Sequence, residues 1–145
     1  MEIQLKQIGK KDEPYVWRVF ESTMRNHIEQ VWGWDRKWQE SNFKSQLGKC
    51  QTYLVLSENK YIGYIQIETK LENTFINMIA LESGYRSRGI GPLVLEEIEK
   101  LRINKSLKLK CLKCNERAFK FYLRNNFKVL DKDEVFYDMQ RKKNA

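Results

Sequence analysis

Residues 84–92 read GYRSRGIGP, placing Arg86, Arg88 and three glycines within nine residues and closing on Pro92. Glycines let successive backbone N–H groups turn toward one point, and the arginines add positive charge there. That combination suits an anion, with a phosphate as its natural guest. No GK[ST] follows, so this is not a Walker A loop, and the spacing does not supply the G-x-G-x-x-G of a dinucleotide fold. On spacing alone, a basic turn ahead of an amphipathic helix accounts for the stretch equally well. A second reactive spacing is Cys111-x-x-Cys114. A zinc site would need two further ligands, and the only histidine, His27, lies far upstream. Three cysteines also argue against a disulfide framework. The pair reads as filling a strand end, and no metal site is expected.

The segments around the loop say what must hold it. TFINMIAL (74–81) is apolar on both faces, as a central strand is. IGPLVLEEIEKLRI (90–103) carries Ile90, Val94, Ile98 and Leu101 at helical spacing, and Pro92 suits the first position of that helix. Upstream, EIQLKQI (2–8) alternates as a strand with Ile3, Leu5 and Ile8 inward. A helix follows with Asp12 as N-cap and a stripe of Val16, Phe20, Thr23, His27 and Val31. WGWDRKWQESNF (32–43) predicts a turn into a short second helix. QTYLVLS and KYIGYIQIE predict a hairpin turned by Glu58 and Asn59. Downstream, LKLKCLK alternates with Leu107, Leu109 and Cys111 on one face. NERAFKFYLRNN is a helix capped by Asn115, with Asn126 left-handed at its end. FKVL and EVFYDMQ predict a final strand pair. The order implies an α/β sandwich on a mixed sheet.

At 145 residues the chain suits one domain, read as 1–140 with a frayed tail at 141–145. The first residues are charged, with no apolar run of a secretory signal, and no stretch approaches the ~18–20 apolar residues of a membrane span. A cytoplasmic protein without membrane attachment is the expectation. The net charge of +8 implies an anionic partner without choosing among nucleic acid, lipid and a phosphorylated small molecule. Lys and Arg are scattered over most elements with no recognition-helix motif, so no nucleic acid is expected.

Arg86-Ser87-Arg88-Gly89-Ile90-Gly91 resembles the Q/R-x-x-G-x-G/A signature of the GCN5-related N-acetyltransferases (GNAT), in that family's setting between a central strand and a helix. Asn115, Ala118, Tyr122 and Phe127 are similar to its N-x-x-A-x-x-x-Y-x-x-x-G-F pattern, with Asn126 where glycine is usual. The resemblance implies a mostly antiparallel mixed sheet with helices on both faces, and acetyl-CoA as acyl donor. It implies that Ile79, Ala80 and Leu81 pair with the pantetheine arm through backbone groups. The pyrophosphate would lie on N–H groups from Arg86 to Gly91, Asn115 near the pantetheine, and Tyr122 would protonate the departing thiolate. An ordinary buried strand, a helix cap and a rim tyrosine are the plain alternatives for these residues.

The acceptor would be an amine, on a small molecule or a peptide, and it must lose a proton to attack. Glu68 is the first candidate base, ahead of His27, Glu82 and a chain of waters. The family's acceptor side is usually shaped by the first two helices. Here these bring His27, Trp32, Trp34 and Asp35, with Trp38, Glu29 and Glu40 nearby, aromatic faces and carboxylates that attract an ammonium. Packing onto the sheet is the alternative for the tryptophans. An acyl-CoA sensor without transfer activity and a basic nucleic-acid-binding protein are the rival functions, and both monomer and homodimer fit the sequence.

Overall fold

The computed structural model describes residues 2–86, 88–101 and 106–142. The elements run β1 (Ile3–Gln7), α1 (Glu13–Trp32), α2 (Arg36–Lys49), β2 (Gln51–Ser57), β3 (Lys60–Thr69), β4 (Asn73–Leu81), α3 (Ile90–Leu101), β5 (Ser106–Leu112), α4 (Glu116–Arg124), β6 (Lys128–Lys132) and β7 (Phe136–Arg141). One seven-stranded sheet has the order β1-β2-β3-β4-β5-β7-β6. Among the described residues only β4 and β5 pair in parallel, and every other pairing is antiparallel. The strand read as central from its apolar faces is therefore the middle strand.

Helices cover both faces. On one, Ile90, Val94, Leu95 and Ile98 of α3 with Tyr122 of α4 close over Ile65, Ile67, Ile76, Leu107, Leu109 and Cys111. On the other, Val16 and Val19 of α1 and Phe43 of α2 pack on Leu54, Tyr64 and Ala80. Burying these branched and aromatic side chains against strands is the main stabilising term, about 1.5–3 kcal/mol for each large residue.

Local signals hold where a short stretch specifies its own backbone. Glu58 and Asn59 both take positive φ, 51° and 65°, which makes the two-residue turn of a tight hairpin. Elsewhere tertiary contacts alter the expectation. Asp12 makes no side-chain cap on α1; its carboxylate instead accepts from the Gly9 N–H at 2.9 Å and the Tyr61 hydroxyl at 3.2 Å. The second helix is longer than its sequence suggested and runs through Gly48 to Lys49. Arg141, read as the start of a frayed tail, is the last residue of β7, with its guanidinium bonded to the Asn125 carbonyl and to Glu99. Residues 143–145 of that tail, and the predicted helical extension to Ile103, lie outside the described residues.

Candidate active site

β4 and β5 pair only from Asn73 and Ser106 to Ile76 and Leu109, although the strands continue to Leu81 and Leu112. The cause lies in β4. Gln66 of β3 faces Met78 while its neighbour Ile67 faces Ile76, so Asn77 is one residue too many, a β-bulge. A bulge bends its strand and sharpens its twist. β5 is held to β7 from Leu107 to Leu112 and cannot follow, so the two strands part. A cavity of ≈ 680 Å³ lies against the opening, walled by β3, β4, β5, α1, α2 and α4.

Tyr122 lines this cavity from α4 and is 9 % exposed. Its helix has only nine residues, too short to persist on propensity alone, and both ends are capped. Asn115 Oδ1 accepts from the Ala118 N–H at 3.2 Å, as its position predicted. At the other end Asn126 has φ 70°, the Phe127 N–H reaches the Tyr122 carbonyl at 3.0 Å, and the Asn126 N–H reaches the Leu123 carbonyl at 3.3 Å. These two bonds form a Schellman motif. Phe127 then packs its ring 5.3 Å from that of Tyr122. Burial, and secondarily Cys111, pushes the Tyr122 hydroxyl well above its ordinary value, so it carries its proton throughout the neutral range. Cys111 lines the same cavity, its thiol pushed up to about 11 by burial and then by Cys114, so Cys111 remains a thiol near pH 7.

The loop from β4 to α3 is ordered from within. Arg86 Nε donates to the Leu81 carbonyl at 3.1 Å, and the Arg88 guanidinium lies 5.8 Å from the centre of the Tyr85 ring. Gly89 takes φ +75°, a conformation that L side chains rarely adopt, and α3 begins at the next residue. Gly91 has another reason to be glycine: a Cβ there would lie 2.4 Å from Phe121 Cε1. The missing side chain therefore lets α3 approach α4 next to Tyr122. Pro92 is the third residue of α3, not the first, and its absent N–H is still one of the unpaired donors of the first turn. Ser87 lies outside the described residues.

Of the three β4 residues expected along the pantetheine, Ile79 lines the cavity, Ala80 is buried under α1, and Leu81 packs toward α3. Asn115 also lines it. The expected acceptor residues divide. Trp32 and Asp35 line the cavity, as does Trp38, and each of the two tryptophans is 59 % exposed. Asp35 also caps α2, accepting from the Trp38 N–H at 3.1 Å. Trp34 turns away, its ring 6.2 Å from those of Trp17 and Phe20, with Arg25 over it at 5.3 Å. Glu29 and Glu40 are held on the surface by Arg25 and Arg36 at 2.7 and 2.8 Å.

None of the three base candidates is among the residues lining the cavity. Glu68 sits beside Phe75 in the ladder and pairs with Lys70 Nζ at 3.0 Å. Glu82 accepts a 2.6 Å bond from the Tyr15 hydroxyl. His27 is half-buried beside Cys114, and burial with the Arg86 charge lowers it below its ordinary value, leaving it neutral at pH 7. The sequence reading also missed a row of amides. Gln39, Asn42 and Gln46 of α2 line the cavity at spacings of three and four, and Gln66 and Asn77 join them from the sheet. Polar residues at helical spacing beside Phe43 were the available signal.

The profile of the Acetyltransferase (GNAT) family matches residues 15–127. Among solved structures, the PaiA N-acetyltransferase from Thermoplasma acidophilum in complex with coenzyme A is similar at TM-score 0.77 and 19% identity, over 99% of this chain and 100% of that one. An acetyltransferase from Thermus thermophilus gives 0.78 and 16% over 97% of each chain. A GNAT family acetyltransferase from Elizabethkingia anophelis with acetyl-CoA bound gives 0.70 and 14%, over 98% of this chain and 97% of that one. At these identities the likeness is one of fold.

Proposed function

The chain belongs to the acetyltransferase (GNAT) family, and on that premise we propose that it moves acetyl from acetyl-CoA to a primary amine by direct attack in a ternary complex. The observation that carries this reading is a buried tyrosine, Tyr122, facing the cavity where β4 parts from β5. An extended pantetheine arm fits the unpaired edge of β4 near Ile79, with Asn115 beside it. The pyrophosphate fits the loop ahead of α3, where Gly89 turns the backbone and Arg86 and Arg88 supply charge. Ala80 and Leu81 contribute through the backbone alone.

The acceptor nitrogen gives its lone pair to the thioester carbon, the C–S bond breaks, and its electron pair leaves on sulfur. The Tyr122 O–H donates to that sulfur, and the proton lost by nitrogen returns to the tyrosine through solvent. The raised value keeps the hydroxyl protonated at neutral pH, so a donor is present when negative charge develops on the sulfur. Glu68, His27 and Glu82 all stand off the cavity wall and Asp35 is engaged as the cap of α2, so the nitrogen is deprotonated by water, with Trp32 and Asp35 receiving the amine at the entrance. His27 and Trp34 act as supports of α1 and its exit turn.

An assay of acetyl-CoA against a panel of primary amines tests this. The expected result is transfer that Tyr122→Phe reduces while acetyl-CoA still raises the melting temperature; absence of transfer to every amine sinks the reading. The pH dependence is a sharper check. With no side-chain base, kcat/KM should rise tenfold per pH unit up to the acceptor's own pKa. Tyr122 works only when protonated, and its raised value moves the falling limb above pH ~10, so no bell appears below it. A rising limb that levels off near pH 6 or 7 would reveal a base on the protein. The lack of a carboxylate other than Asp35 among the described residues of the wall also favours one alternative, an acyl-CoA-binding protein without transfer.

A further inference from the structure

The acceptor side of the cavity is lined by amides rather than charge: Asp35 and Lys110 are the only ionisable lysine, arginine or acidic residues among its described lining. Lys110 is already drawn toward Asp138, 3.9 Å away, and lies 5.6 Å from the Phe136 ring centre. A multiply charged polyamine would find one carboxylate for several ammonium groups, and a charge taken from water without a partner is costly.

Gln66 supplies the second observation. It is 3 % exposed, its Oε1 accepts from Asn77 Nδ2 at 2.7 Å, and its own Nε2 is buried with no partner. Leaving such a group unbonded costs about 1–3 kcal/mol. Turning both amides over reverses the bond and leaves Gln66 with an unmet acceptor instead, so either orientation asks the ligand for a polar atom. A hydroxyl answers both, because it donates and accepts. Gln39, Asn42 and Gln46 of α2 line the same cavity and add further amide groups to it, with Gln46 Oε1 already accepting from Cys50 Sγ at 3.5 Å. At the entrance Trp32 and Trp38 present flat apolar faces, which fit the C–H face of a saturated ring.

We infer that the acceptor is an aminosugar, an amine carried on a neutral polyhydroxylated ring whose hydroxyls meet the amide row and whose C–H face meets the tryptophans. This rests on the acetyltransferase reading and names its acceptor. Binding is separated from chemistry by titrating CoA-saturated protein with glucosamine, cyclohexylamine, spermidine and a lysine peptide, following tryptophan fluorescence, and then assaying acetylation of each. Glucosamine should bind about tenfold or more tighter than cyclohexylamine, the worth of one or two satisfied hydrogen bonds. Gln66→Leu should erase most of that advantage, and Asn42→Ala, on the half-exposed side of α2, should reduce it even if Gln66→Leu fails to fold. Tighter binding of spermidine or the peptide, an advantage unchanged in Asn42→Ala, or no binding of any probe overturns the inference. Selective binding of glucosamine without its acetylation supports the recognition but overturns the transfer.

Discussion

The two walls of the cavity, α4 and α2, are built in opposite ways. α4 is nine residues long, closed by Asn115 at one end and by the Schellman bonds at the other, and Tyr122 belongs to the larger core. α2 is fourteen residues long, buries only Gln39 and Phe43, and leaves Trp38 mostly in solvent. The wall assigned to the shared chemistry is fixed by backbone and core. The wall assigned to the acceptor is a set of side chains on a lightly anchored helix, where exchanges cost little stability. A change in α4 should therefore act on rate and folding together, and a change on the exposed face of α2 on selectivity alone.

That contrast can be broken at four places. Tyr122→Phe should give the largest effect, about a 10²- to 10⁴-fold fall in kcat for loss of a proton donor. A steady-state assay reads this, with acetyl-CoA binding retained by thermal shift. Gly91→Ala comes next: its Cβ would press on the Phe121 ring, and overpacking of this kind costs about 1–3 kcal/mol. Chemical denaturation should show that loss, and adding Phe121→Leu should recover part of it. Asn126→Ala forces a left-handed φ on alanine and should cost roughly 1 kcal/mol, whereas Asn126→Gly should be neutral or stabilising. Trp38→Ala should change stability by less than about 0.5 kcal/mol, as an exposed substitution does, while raising the acceptor KM about two- to fivefold. If Trp38→Ala destabilised the protein as much as Gly91→Ala, the two walls would not differ as described.

The same contrast governs what the sequence disclosed. The Glu58–Asn59 turn, the Asn115 cap, the left-handed Asn126 and the passage from central strand through Gly89 into α3 each depend on a few neighbouring residues, and all were legible. The bulge was not, because Asn77 is surplus only relative to β3, and register between strands is not written in either strand alone. The fate of Trp34 was hidden for a similar reason, since Trp17 and Phe20 claim it through tertiary packing, whereas Glu68 is claimed by Lys70 only two residues on. Asn42 and Gln46 join a polar row only because the fold brings Gln66 of the sheet to the same cavity.

Asn77 also says something about how such a site can be lost. Removing Asn77 restores a regular ladder and leaves every other pair in place, with Ile76 still opposite Ile67, Met78 still opposite Gln66 and Ile79 still opposite Ile65. A straight β4 could then go on pairing with β5 and close the cleft with the hydrophobic core intact. One in-frame codon deletion would thus convert this catalytic scaffold into an inert seven-stranded domain that folds normally, so the site is recorded in the length of one strand as much as in the identity of any side chain.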